Sequence, residues 1–126
     1  YARRVNRYCR FAVTALPDVR NTRSLTQNQQ RTAEGEAILR QLAVKGLALE
    51  INTSGLRGPI GETSPTLKYV KRFRELGGEY VTLGSDAHSA ENLGDGIQQA
   101  MEMAHQAGFS YFTFYKKRQP RLLQIY

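Results

Sequence analysis

The chain has 126 residues, of which 40% are hydrophobic and 23% are charged, a composition that suits one modest globular domain. No apolar run approaches the ~20 residues needed to span a bilayer, so a membrane protein is not expected. The single cysteine, Cys9, excludes an internal disulfide and predicts a reducing, cytoplasmic location.

The net charge of +7 is concentrated at the two ends of the chain. Residues 1–40 contain eight Arg and no Lys against three acidic residues, residues 41–115 are slightly acidic, and residues 116–121 are basic again. Basic ends are typical of nucleic-acid contact, but a solvated surface is the simpler interpretation. Arg is the only basic residue type in residues 1–30, so we expect this stretch to form a head that is distinct from residues 31–126.

The first elements in chain order are a strand and a helix. The apolar residues 11–16 predict a strand within the Arg-rich head. The polar residues 22–31 predict a loop, and the apolar spacing in residues 33–44 predicts a helix that stops at Gly46. A second strand is predicted for residues 47–52, which are apolar enough to be covered on both faces.

Further units of the same kind follow. Ser64-Pro65 predicts a helix start, with Ser as N-cap. The buried stripe predicted for this helix is Leu67, Val70, Phe73 and Leu76. Residues 80–84 predict a third strand. The last predicted helix has Leu93, Ile97, Met101 and Ala104 on one face, and alternation in residues 109–115 predicts a fourth strand. About four β-α units imply an α/β fold, with a parallel sheet or barrel and helices outside.

The motif Gly84-Ser85-Asp86-Ala87-His88 follows the third predicted strand. In β/α barrels the carboxyl ends of the strands carry the active site. Asp86 and His88 lie two residues apart, so an extended backbone would direct both side chains to one metal or to two adjacent metals. Oxygen and nitrogen donors suit Zn, Mn or Fe. A loop Asp beside a surface His is the competing interpretation.

A second polar stretch follows the strand at 47–52, one unit earlier. Asn52, Thr53 and Ser54 offer hydrogen bonds, and Arg57 offers a planar fork that matches phosphate oxygens. The alternative is a polar turn with a solvated Arg. Glu50 is a charge among apolar residues, so it must be paired, bind metal or face the barrel mouth.

Three sequence blocks in this order resemble the histidinol-phosphatase branch of the PHP (polymerase and histidinol phosphatase) family. They are ALEINTSGLR, GGEYVTLGSDAHSAENLGDG and AGFSYFTFYKKRQP. The resemblance implies that residues 31–126 are the C-terminal portion of a distorted (β/α)7 TIM-like barrel. It also implies a cytoplasmic hydrolase of histidine biosynthesis that uses divalent metals on a small phosphate monoester, with histidinol phosphate as the first substrate to consider.

The resemblance also assigns roles to residues. Asp86 and His88 match two metal ligands of the family and, with Arg57, form the expected catalytic set. Arg57 and the turn Asn52-Thr53-Ser54 match the region that faces the substrate phosphate. The metal expected is Zn, Mn or Fe.

The chain departs from the family in its histidines. The family opens with a His-x-His strand, but this chain has only two histidines, His88 and His105, and no His-x-His. A full barrel has about 250 residues. We therefore expect a truncated or partly degenerate phosphatase, and whether the chain by itself is an enzyme stays open. The alternative is a non-catalytic module whose basic ends bind nucleic acid or a partner protein. Exposed sheet edges could also support a homo-oligomer.

Overall fold

The computed structural model describes residues 25–125. Within this described range there are two short 3-10 turns, Ser54–Arg57 and Ala90–Asn92. The helices and strands in chain order are α1 (Leu25–Val44), β1 (Leu49–Asn52), α2 (Leu67–Glu75), β2 (Val81–Gly84), α3 (Ile97–Gln106), β3 (Tyr111–Lys116) and β4 (Gln119–Gln124). None of the helices between residues 25 and 125 combines the length and apolarity needed to cross a membrane. The predicted head strand at 11–16 lies outside the described residues.

Strands β1 and β2 form a two-stranded parallel sheet, and α2 is the crossover between them. The register pairs Leu49 with Val81 and Asn52 with Gly84. Parallel strands cannot be joined by a tight turn, so the chain needs a crossover of the kind that α2 provides. The α/β class predicted from the alternation of elements is confirmed in this part of the chain.

The hydrophobic core lies between the parallel sheet and the helices that cover it. Phe73 of α2 is fully buried, and its ring stacks on Phe109 with centroids 6.3 Å apart. The other fully buried large aliphatic side chains are Leu39, Leu49, Ile51, Val70 and Val81. The predicted stripe of α2 is confirmed, because Val70 and Phe73 are buried and Leu67 and Leu76 pack against the core.

Helix α1 begins earlier than the sequence predicted. It starts at Leu25, so the predicted loop at 22–31 is wrong for residues 25–31. That segment contains neither Gly nor Pro, and its Gln residues are good helix formers, so its polarity did not indicate a loop. The helix contacts α2 through an ion pair in which Arg72 donates to the Glu36 carboxylate. This hydrogen bond lowers the pKa of Glu36 below its ordinary value.

The fourth predicted strand is one half of an antiparallel hairpin. Strand β3 pairs with β4, which the sequence did not predict, and the register runs from Tyr111–Gln124 to Lys116–Gln119. The two turn residues, Lys117 and Arg118, have φ of 48° and 70°. Positive φ at both positions fits the twist of a hairpin but is usual for Asn-Gly, so Lys-Arg gave no turn signal.

Two helix starts were also predicted too early. Helix α2 begins after Thr66, which is its N-cap, and not at Ser64-Pro65. Helix α3 begins after Gly96, and Leu93 lies before it with 79% of its surface exposed. Gly94 and Gly96 both have φ of 77°, which a regular helix does not allow. Met101 and Ala104 do pack into the core as predicted.

Replacement of Phe73 by Ala should lower the free energy of unfolding by about 3–5 kcal/mol, because it empties a fully buried ring site. Urea denaturation followed by circular dichroism measures this. Leu93→Ala is the control at an exposed apolar position, with an expected change within about 0.5 kcal/mol. Equal losses in the two variants would contradict the assignment of the core.

Candidate functional site

The loops that follow β1 and β2 lie side by side at the carboxyl edge of the parallel sheet. The amide of Thr53, the first residue after β1, donates to the carbonyl of Gly84, the last residue of β2, at 2.8 Å. The polar stretch 52–57 and the stretch 84–88 therefore share one rim. A β-then-α order is expected to bring the loops after neighbouring parallel strands to one edge in this way.

Asp86 and His88 project from the loop after β2. Asp86 has φ of 48°, a left-handed backbone that Asp tolerates better than most residues. His88 Nε2 lies 3.9 Å from Asp86 Oδ1, and the His88 side chain is 86% exposed whereas that of Asp86 is 35% exposed. The two predicted metal ligands are thus neighbours on an accessible surface.

Two donors do not make a complete metal site. Among residues 25–125 no group of three or more His, Cys, Asp or Glu side chains converges on a point that could hold a metal ion. Structural and catalytic metal sites use three or four protein ligands. The described residues supply at most part of such a site.

Glu50 and Asn52 lie on the same side of β1, two residues apart. The side-chain amide nitrogen of Asn52 donates a weak hydrogen bond to Glu50 Oε1 at 3.5 Å. Asn52 Oδ1 accepts hydrogen bonds from the backbone amide and the hydroxyl of Ser54 at 2.9 and 2.6 Å. A Cβ on Gly84 would lie 2.9 Å from Glu50 Oε1. Glycine at position 84 therefore leaves room for the Glu50 carboxylate beside the end of β2.

Thr53 is fully buried and connects the loop after β1 to the segment before α3. Its hydroxyl donates to the carbonyl of Asp95 at 2.5 Å. A Cβ on Gly96 would lie 2.8 Å from Thr53 Cβ and 2.9 Å from Leu56 Cδ1. The hydrogen bond from Thr53 to Asp95 thus holds the two segments together, and glycine at position 96 permits their close approach.

The guanidinium of Arg57 lies between the loop after β2 and Asp95. Its Nη2 donates to the carbonyl of Ser85 at 2.9 Å, and its Nη1 lies 3.9 Å from Asp95 Oδ2. The side chain is only 21% exposed, so Arg57 is not the freely solvated Arg that the competing interpretation of this stretch required.

Sequence reasoning missed two residues of this rim, Ser85 and Asp95. The Ser85 hydroxyl accepts a hydrogen bond from the amide of Gly94 at 3.2 Å, and Asp95 contacts both Thr53 and Arg57. The available signal was Gly94-Asp95-Gly96, since two glycines around an acidic residue indicate a loop with positive φ rather than a helix.

Replacement of Gly96 by Ala should destabilise the protein more than the same change at Gly94. Both residues have φ of 77°, so both variants lose about 1–2 kcal/mol to left-handed strain. Only at Gly96 does the new methyl meet neighbours, which adds about 1–3 kcal/mol of overpacking; at Gly94 there is nothing within 4 Å. Urea denaturation of both variants measures the difference, and equal losses would refute the close packing of Gly96 on Thr53.

Comparison with known proteins finds two kinds of relative. A probable histidinol-phosphatase of Thermotoga maritima is 40% identical over 78 residues, which cover 62% of this chain and 33% of that protein. A ribosomal RNA large subunit methyltransferase H of Flavobacterium johnsoniae is 31% identical over 55 residues, 44% of this chain and 35% of that protein. A scan of the chain against models of protein families finds no match.

The fold has a counterpart among solved structures. Histidinol phosphate phosphatase of Lactococcus lactis, crystallised with zinc, L-histidinol and phosphate, matches with a TM-score of 0.58 at 22% identity. The match covers 93% of this chain and 50% of that one, so the chain spans half the length of this structure and about a third of the Thermotoga relative. Over about two-thirds of its length the chain is thus histidinol-phosphatase-like, with the resemblance to the PHP family that its motifs indicated.

Proposed function

We propose that this chain carries part of the active site of a metal-dependent phosphatase that hydrolyses a small phosphate monoester. The observation that carries the proposal is the shared rim, on which Asp86 and His88 lie beside the polar stretch 52–57. Histidinol phosphate is the first substrate to consider, because the similar proteins are histidinol phosphatases.

The role proposed for each residue follows its chemistry. Asp86 and His88 would each give one donor to a divalent metal such as Zn, Mn or Fe. Within the turn Asn52-Thr53-Ser54, Asn52 and Ser54 would face the phosphate, and the buried Thr53 would hold the turn through its bond to Asp95. Arg57 would offer its planar fork to the phosphate once its contacts to Ser85 and Asp95 part. Residues outside 25–125 or in another chain would have to complete the metal site, because the described residues contribute only two donors.

The isolated chain should therefore bind metal weakly, and at one place. Titration with Mn²⁺ should broaden the backbone NMR signals of Asp86 and His88 first, and chelator should restore them. Asp86→Asn and His88→Gln should each weaken the apparent affinity at least about tenfold, since even indirect changes around a metal cost 10–100-fold.

His105→Gln is the matched control, because it removes the other histidine from an exposed position on α3. It should leave the affinity for Mn²⁺ unchanged. Turnover of p-nitrophenyl phosphate by the isolated chain should stay near background. Broadening that is not selective for Asp86 and His88 would refute the metal role, and robust chelator-sensitive turnover would refute the incompleteness of the site.

A second candidate function is RNA binding, and the methyltransferase relatives favour it. They match 55 and 42 residues of the chain. The motifs that resemble histidinol phosphatases occupy residues 48–120. We infer that the methyltransferase similarity includes the first third of the chain, which these motifs leave unassigned. That third contains eight Arg and no Lys. Arg side chains suit phosphate contacts because of their bidentate geometry.

RNA binding would be tested by fluorescence anisotropy with a short single-stranded RNA at increasing salt. Each phosphate contact contributes a slope of about −0.7 in log affinity against log salt. Replacement of Arg3, Arg4, Arg7 and Arg10 by Gln should flatten this slope. In the comparison variant Gln replaces four basic residues of the hairpin, which are Lys116, Lys117, Arg118 and Arg121. The loss of charge is equal, and this variant should keep the salt slope of the unchanged chain. Equal effects of both variants would indicate only nonspecific attraction.

A further inference from the structure

One side chain of the rim, Arg57, joins three separate segments of the chain. It belongs to the 3-10 turn Ser54–Arg57, donates from Nη2 to the Ser85 carbonyl at 2.9 Å, and holds Nη1 3.9 Å from Asp95 Oδ2. Nη1 is shielded from solvent and has no hydrogen-bond partner among the described residues. In this conformation an anion from solution has no access to Nη1.

The hydrogen bond to Ser85 acts on the backbone that carries Asp86. The Ser85 carbonyl and the Asp86 amide belong to one planar peptide group, so a donor on that carbonyl fixes the orientation of the whole group. Asp86 then has φ of 48°, a left-handed conformation that costs a residue with a Cβ free energy, although Asp bears less of this cost than most. A charge-assisted bond from a guanidinium is strong enough to stabilise such a conformation.

The surrounding bonds hold Arg57 in turn. Thr53 binds the Asp95 carbonyl, and the Gly94 amide binds the Ser85 hydroxyl, so the segment that carries Asp95 is attached to both loops of the rim. The Asp95 carboxylate lies near Nη1 of the guanidinium, whereas the Ser85 carbonyl accepts from Nη2, and the opposite charges of Arg57 and Asp95 attract each other. The position of the guanidinium is therefore determined by Ser85 and Asp95 together.

We propose that Arg57 is a positioning residue: held against Asp95, it clamps the Ser85 carbonyl and thereby sets the direction in which Asp86 and His88 project. What Asp86 and His88 bind rests on the proposed function, whereas the clamp itself is a property of the fold. A role of Arg57 as an open phosphate ligand would first require its contacts to Ser85 and Asp95 to part.

The test compares the whole chain with its variants Arg57→Gln, Arg57→Lys and Asp95→Asn by two-dimensional amide NMR without metal. Arg57→Gln should displace the signals of residues 85–88 and leave those of the buried Val70 and Phe73 in place. Arg57→Lys keeps the charge but lacks the fork, so it should give a smaller displacement in the same residues. Asp95→Asn should displace the same set. Arg72→Gln is the control, because it removes an Arg that forms an ion pair from α2 to Glu36. It should leave the signals of residues 85–88 unchanged.

A Mn²⁺ titration of the same variants separates this inference from the proposed function. The clamp predicts that Arg57→Gln weakens Mn²⁺ binding at Asp86 and His88 by roughly 10–100-fold, with partial recovery in Arg57→Lys. Displaced signals in a chain that binds no Mn²⁺ would support the clamp and refute the metal site. Unchanged signals of residues 85–88 in Arg57→Gln would overturn the clamp whether or not the metal binds. If Arg57→Gln does not fold, the signals of residues 85–88 in Arg57→Lys and Asp95→Asn provide the test: displaced signals support the clamp, and unchanged signals overturn it.

Discussion

The parallel pairing of β1 with β2 is the constraint on which the rest of this structure depends. Its register sets Asn52 opposite Gly84, so both strands end at the same edge and the two polar loops emerge together. Helix α2 makes this possible because it returns the chain across the sheet and buries Phe73 and Val70 against it. Without this crossover the residues of the two rim loops, such as Arg57 and Ser85 at 28 positions apart, would not meet.

The rim is held together by polar bonds and one close backbone approach rather than by apolar packing. The buried hydroxyl of Thr53 donates to the Asp95 carbonyl, Asn52 accepts from Ser54, and Arg57 donates to the Ser85 carbonyl. Gly96 allows the segment before α3 to approach Thr53 closely. These hydrogen bonds restrict the backbone of the loops from which the exposed side chains of Asp86 and His88 project, as the proposed site requires.

The two kinds of relative match different shares of the chain. The histidinol-phosphatase similarity covers about two-thirds of it, whereas the methyltransferase similarity covers 44% at most among the matches described. The chain spans a third of the Thermotoga relative and half of the Lactococcus structure. Among residues 25–125 no group of three or more His, Cys, Asp or Glu side chains could hold a metal ion. The abrupt change from Arg alone to mixed Arg and Lys after residue 40 agrees with two segments under different constraints.

The sequence by itself determined the α/β alternation, the buried stripe of α2 and the two loops on which the polar residues lie, because hydrophobic period and the ends of strands are local properties. Prediction from the sequence was wrong or missing where the local residue types gave no signal. Polar residues 25–31 belong to a helix, and Lys117-Arg118 form a turn that is usually made by Asn-Gly. Only the tertiary structure decided that Arg57 binds the Ser85 carbonyl and lies near Asp95, since these partners are 28 and 38 positions away. Side-chain pairing over such distances depends on how the loops are brought together in space, and no spacing within the sequence encodes it.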